Sequence, residues 1–441
     1  MNAMGEHWTV EQVLALAPDE ASRGAGAELG AAGPWSETGC GDGAVWGLCK
    51  GSGSVPYRTV VDTTGPAYSC DCPSRKSPCK HALGLLLLRA ADGIAAGDSP
   101  APGWAARWLT ARRGRAGDAV PGAAADPAAA RRRTERRAAR ITAGAQELEE
   151  RLADLLRGGL AAAGQTGYGL WEETAARMVD AQAPGLAGRV RELGAIPGSG
   201  PGWPVRLLEE CALTRLLDRA WLAADRLPAP FAATVRTRVG LTSPADGVPV
   251  RDHWLVLAQY DASDARLTTR RIWLHGTTTG RTALLLSFGA AGRAPRLALP
   301  VGALLDGELT PHTGSGQVRA EPGERFVPVA GPVAPPAGGP VGAALDAYGR
   351  ALAEDPWLDS WPVTLTGVVP APADYGWQLA DADGREALPL TPAAQSRPGL
   401  WRLVALSGGA PVTVFGEVGH RGFTPLAAWS PETPGETVPL I

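Results

Sequence analysis

The stretch CDCPSRKSPCKH, from Cys70 to His81, places four soft or borderline metal ligands within twelve residues: Cys70, Cys72, Cys79 and His81. On an extended strand Cys70 and Cys72 point to one face, with their Cα atoms roughly 6.5–7 Å apart. Two sulfurs on one tetrahedral zinc lie only about 3.8 Å apart. The side chains must therefore lean together or the strand must bend, and Pro73 makes a bend cheap. The second half poses a similar problem. Ser77-Pro78 reads as an N-cap and first helical residue. In that register Cys79 and His81 sit about 200° apart around the helix and cannot share a metal. A shared metal requires the helix to begin near Lys80, with Cys79 at its threshold and His81 in its first turn.

The flanks fit a metal site between two strands and a helix. Upstream, AVWGLC, a GSGS turn, PYRTVVD, a Gly65-Pro66 turn and AYSC read as strands from Ala44 to Ser69. Downstream, HALGLLLLRA is apolar nearly all round and reads as a buried helix. The result is a ββα unit. A loop of buried thiols is the alternative. Catalytic zinc is a second alternative, but four protein ligands leave no position for water.

C-x-C-x₆-C-x-H after a hairpin and before a buried helix resembles the SWIM zinc-finger family. WGLCKGSGSVPYRTVVD followed by GPAYSCDCPSRKSPCKHALGLLLL is similar to bacterial SWIM proteins nearly throughout. The resemblance implies one structural Zn²⁺ held by Cys70, Cys72, Cys79 and His81, in a module that binds DNA or protein. LAEDPWL and the C-terminal RGFTPLAAW extend the likeness to bacterial members often encoded beside MoxR-type AAA+ ATPases and von Willebrand factor A (VWA) proteins. Partners of those two kinds are what it implies.

The 441-residue chain is long enough for two to four domains, and Gly (57) and Pro (39) point to compact units joined by loose segments. The fold class expected is α+β, in four parts: a SWIM-like zinc domain over 1–92, a linker over 93–130, a helical region over 131–238 and a β-rich domain over 239–441. The linker holds a short WAARWL element. Leu148, Leu152 and Leu155 line one face of the helix after it, and further helices are expected at about 170–194 and 204–226. Past residue 240, VRDHWLVLAQYD, RRIWLHG, TALLLSFG and RLALPVGALL read as strands, with GTTTG as a hairpin. A helix over VGAALDAYGRALAED interrupts them before WPVTLTGVV, YGWQLAD, LWRLVALS and PVTVFGEVG resume the strand pattern.

No basic start with an apolar core opens the chain, and ALGLLLL is far short of the roughly 20 residues that span a bilayer. A cytoplasmic protein with no membrane contact is expected. In a reducing compartment six cysteines with this clustering argue for metal over disulfides.

Charge separates the two kinds of partner. With three thiolates on Zn²⁺ the finger itself carries about +1, too little for the six to ten phosphates of a typical duplex site. The better basic segment is 101–140, at +7, where Arg131, Arg132, Arg133, Arg136, Arg137 and Arg140 crowd together and Trp104 and Trp108 could stack or pack. The rest of the chain is left at about −10. A protein adaptor is therefore the leading reading, and nucleic-acid binding through the finger and 131–140 is the alternative.

No enzyme is expected. H-E-x-x-H, G-x-S-x-G and the phosphate-loop motif are missing from the sequence, and GSGS lacks a following lysine. His253 and His275 stand singly beside Trp254 and Trp273, Cys211 reads as a core thiol, and Cys40 and Cys49 are spare thiols beside a closed site.

Overall fold

Caps and turns already legible in the sequence set the N-terminal elements. A computed structural model describes residues 8–441 apart from 52, 65–66, 96–98, 118–126, 161–166, 242–244, 264–266, 292–293, 296, 313–317, 330, 332 and 375. Thr9 caps α1 (Val10–Ala15) in a reciprocal box with Gln12, and Asp19 caps α2 (Glu20–Glu28) by accepting from the Ser22 N–H. Four strands follow, β1 (Trp35–Gly41), β2 (Ala44–Cys49), β3 (Tyr57–Asp62) and β4 (Ala67–Cys70), in one antiparallel sheet in chain order. Helix α3 (Lys80–Ala90) then buries every residue from His81 to Arg89. The expected ββα unit is β3–β4–α3, widened by a preceding hairpin. Strand β1, WSETGCG, has no apolar alternation and was not foreseen.

The alternation of strands β2 and β3 feeds two cores. Val45, Cys49 and Val61 pack with Leu83, Leu85 and the rest of α3. Ala44, Trp46 and Val60 pack with Ala105 and Leu109 of α4 (Gly103–Gly117). WAARWL, inside the segment read as a linker, is thus part of a helix seated on the sheet, and Arg112 Nε holds Asp62 Oδ2 at 3.0 Å.

Helices α2 and α3 approach through glycines. A Cβ on Gly84 would sit 2.5 Å from Leu29 Cβ and 3.0 Å from the Leu29 carbonyl oxygen, and one on Gly26 would sit 2.8 Å from Leu83 Cβ. Gly84→Ala is expected to destabilise the chain by about 1–3 kcal/mol, because backbone must move to admit the methyl. Chemical denaturation checks it; an unchanged midpoint would remove the close approach as a packing determinant.

Helices α5 (Pro127–Gly158), α6 (Gly167–Asp180), α7 (Pro184–Ala195), α8 (Trp203–Leu222) and α9 (Ala229–Val239) share one core, which includes Leu148, Leu152, Trp171, Leu186 and Leu217. The single helix expected over 170–194 is two, because Gln182 takes a φ of 60° and Pro184 starts a new helix.

Two antiparallel sheets make up the C-terminal part. The first orders β5 (Val250–Ser263), β6 (Leu267–Gly276), β7 (Thr282–Ala290), β8 (Leu304–Pro311) and β9 (Ala320–Pro328) as β7-β6-β5-β8-β9. The second comprises β10 (Ser360–Ala373), β11 (Gly376–Asp381), β12 (Ala387–Pro389), β13 (Val412–Gly419), β14 (Gly422–Trp429) and β15 (Val438–Pro439). Its order is β12-β11-β10-β13-β14-β15. Leu255, Leu257 and Trp273 of the first meet Phe415, Leu426 and Trp429 of the second. Helix α10 (Val341–Glu354) lies where VGAALDAYGRALAED predicts it. Two strand expectations are corrected. LWRLVALS belongs to a helix, Gly399–Ser407, that buries Leu400, Leu403 and Ser407 at helical spacing. In RLALPVGALL the strand begins only at Leu304, past Pro300.

The helical and β-rich parts are joined by Trp357, buried in the bundle core with its Nε1 donating to the Leu213 carbonyl at 2.9 Å. Beside it Arg238 grips Asp355 through Nε and Nη2 at 2.9 and 2.6 Å.

Candidate metal centre

Pairing in the sheet brings the first two cysteines to the head of α3. Cys70 ends β4 opposite Thr59 of β3, and the Thr59 Oγ1 lies 3.3 Å from the Cys70 sulfur. The chain then leaves the strand through Pro73 and reaches Cys79, which is the N-cap of α3 with an extended backbone (φ −78°, ψ 166°). The helix therefore starts at Lys80, as a shared metal demands, and not at Ser77-Pro78. His81 lies in its first turn.

The four ligand atoms of Cys70, Cys72, Cys79 and His81 all lie within 4.8 Å of one another. The Cys70 sulfur is 3.6 Å from His81 Nδ1. A sulfur and a nitrogen on one tetrahedral zinc would be separated by about 3.5 Å. Three thiols and an imidazole so placed are positioned to bind one zinc ion. Crowding shapes their acidity: hydrogen bonds from Cys70 and Cys79 hold the Cys72 thiol far below its ordinary range, and those same contacts with Cys72 and Cys79 push Cys70 far above it. Only one thiolate is comfortable in such a cluster by itself, so a divalent cation is the natural counter-charge for three.

The surroundings orient the set. The Tyr57 ring lies 4.9 Å from the His81 ring, centroid to centroid. In the loop between Cys72 and Cys79, Lys76 Nζ reaches Asp19 Oδ2 at 2.7 Å and Ser22 Oγ at 3.2 Å, which pins the loop to the start of α2. The Lys76 ammonium, with help from Ser22, holds the Asp19 carboxyl down at about 2. Sequence reading missed Thr59, Tyr57 and Asp19. For Thr59 a signal existed, since pairing AYSC with PYRTVVD across the four residues 63–66 that separate them puts it opposite Cys70.

The other cysteines stay apart from this cluster. Cys40 donates to the Ala95 carbonyl at 3.3 Å, and burial pushes the Cys49 thiol up. Cys211 is buried in the helical core, where burial and Glu210 push its thiol up to about 11. In the basic segment Arg132, Arg133 and Arg136 are exposed. Arg137 is tied to the Gly240 carbonyl at 3.1 Å and Arg140 to Gln182 Oε1 at 2.7 Å. The Arg131 side chain lies outside the described residues. Burial pushes His275 down, and His253 sits across the strand pair from Asp306. Neither joins the Cys/His cluster.

A closed Cys₃His set at the junction of a hairpin and a buried helix defines a zinc finger. Residues 57–90 match the SWIM zinc finger, and residues 136–239 match the SWIM-associated four-helix bundle domain. The chain therefore carries a SWIM finger together with the bundle that accompanies such fingers. Five helical segments, the last part of α5 through α9, occupy the bundle's range among the described residues. Neither the curated proteins nor the solved structures compared with the chain give a match. No helix among the described residues is long and apolar enough to cross a membrane.

Proposed function

We propose that this chain is a non-enzymatic, cytoplasmic interaction protein in which a structural zinc fixes the finger and the bundle presents a docking face to a protein partner. The observation that carries this reading is an exposed apolar stripe along α8. Val205, Leu208 and Leu216 are 62, 48 and 47 % exposed and, with exposed Ala212, fall on one side of the helix. An apolar helix face answers another protein's side chains and has nothing to offer phosphate. Exposed Glu209 lies on the same side, and Arg215 and Arg219 at the stripe's border are drawn to Glu149 by salt bridges. The partners the family resemblance implies are a MoxR-type AAA+ ATPase and a VWA protein.

Nucleic-acid binding through the finger and Arg131, Arg132, Arg133, Arg136, Arg137 and Arg140 is the competing reading. It is favoured by the exposure of Arg132, Arg133 and Arg136 and weakened by Arg137 and Arg140, whose side chains serve the bundle itself. The test is affinity purification from native lysate followed by mass spectrometry and nucleic-acid staining. The AAA+ and VWA proteins should be retained, and should be lost with Leu208→Glu/Leu216→Glu while the circular dichroism of the bundle stays unchanged. Recovery of nucleic acid alone, in equal amount from both proteins, would overturn the adaptor reading.

A further inference from the structure

Arginine is the default cation of this chain: among its 42 basic residues only three are lysines, Lys50, Lys76 and Lys80. All three line one groove. It has a volume of about 540 Å³ and opens between α2, the turn after β2, the loop that follows Cys72 and the first turn of α3. Ala21, Ala25 and Leu29 wall one side, and Tyr57 lines the groove together with Cys72 and His81 of the metal cluster. Lys76 and Lys80 come from the one segment that runs from the loop into α3, and the fold brings Lys50, from the turn after β2, to join them.

We infer that this groove is a binding site for a phosphate monoester. Elsewhere the chain meets carboxylates with arginine, whose planar fork matches them in pairs, as at Asp355 and Asp306. A lysine ammonium is a compact point charge with rotatable donors, and several can converge on a tetrahedral group from different directions. Lys76 is held by Asp19 and Ser22 and frames the groove. Lys50 and Lys80 are exposed and, among the described residues, have no carboxylate partner. Together they offer two positive charges to a phosphate monoester, which carries about −1.5 to −2 at neutral pH. Helix α3 adds the positive end of its dipole, since its first two residues, Lys80 and His81, line the groove. The volume suits a single phosphorylated side chain or a mononucleotide. It does not suit a duplex, which needs more phosphate contacts than two free lysines supply.

The test is calorimetric titration of the zinc-loaded full chain with phosphoserine, AMP and inorganic phosphate. At least one monoester should bind saturably. Lys50→Gln and Lys80→Gln should each weaken it by about tenfold, as expected for the loss of one charge-assisted contact, with zinc content unchanged. Tighter binding of phosphoserine would identify a phosphorylated partner protein as the source, and tighter binding of AMP a nucleotide; either outcome supports the site. Absence of saturable binding by all three probes, or an affinity the two glutamine variants leave unchanged, overturns it. So does binding of DNA alone, with a steep salt dependence that the variants do not alter.

Discussion

Cys72→Ser should leave the chain without zinc and open the finger while the helical bundle and the C-terminal sheets stay folded. Cys72 belongs to the loop-side half of the ligand set, beyond the end of β4, and is only half-buried. The substitution therefore removes a donor without carving a cavity. A serine hydroxyl is a poor replacement for a thiolate, and three remaining ligands would leave a coordination position to water. Structural zinc contributes on the order of 10 kcal/mol to folding of small finger units, so its loss dominates any local packing change. Protection from hydrogen exchange should fall first in β4 and the loop up to Lys80, which has no helix or strand of its own, and then across residues 44–90. The bundle has a separate core built around Ile141, Leu148 and Leu152 and should keep its protection. Native mass spectrometry decides the point. One zinc per chain in Cys72→Ser would show that the four residues are not the ligand set. Acidification should release zinc from the parent protein, since protons compete for thiolates and imidazole alike.

What was legible in the sequence follows from how local each cause is. Four ligands that must meet force the strand end, the loop and the helix start into one arrangement, and α3 begins at Lys80 for that reason. The leucine spacing of α5 and the strands β5, β6 and β10 were likewise local patterns. Strand β1 was hidden because its glycines and polar residues owe their conformation to pairing with β2. LWRLVALS was misread because a short apolar run satisfies strand and helix periods equally; its buried positions, Leu400, Leu403 and Ser407, decide for helix. At the site, the ligands were visible while their supports were not. Lys76 meets Ser22 across 54 residues of sequence. The approach of Lys50 to Lys76 and Lys80 depends on where the sheet places the turn after β2, which no local signal encodes.

Replacing Asp218 should stabilise the bundle and remove the fall in its stability between about pH 4 and pH 8. Asp218 lies near the C-terminal end of α8 at 0 % exposure, and among the described residues neither carboxylate oxygen has a hydrogen-bond partner. Thr214, one turn earlier, is buried with its hydroxyl equally unpartnered. Burial, reinforced by Glu149 on α5, pushes the Asp218 carboxyl up to about 8. Arg215 and Arg219 are engaged with Glu149 and do not relieve it. In the unfolded chain the same group ionises near 3.9. Between about pH 4 and pH 8 the folded state therefore holds a proton that the unfolded state has released. Stability must fall as pH rises through that window, by up to about 1.4 kcal/mol per unit, and level off above it. Summed over the window the effect is on the order of 5 kcal/mol, an upper bound because local opening would admit water to the carboxylate. Asp218→Asn preserves shape and abolishes the titration, so its stability curve should run flat where the parent slopes, with the largest gain at pH 8. Asp218→Leu should gain at low pH as well if α8 can accommodate the added volume, because the orphaned polar group is gone. Thermal unfolding of parent and Asp218→Asn at pH 5 and pH 8 reads this directly. Equal pH dependence in the two proteins would mean that Asp218 is ionised in the folded state, and that a counter-charge or water reaches it in the bundle.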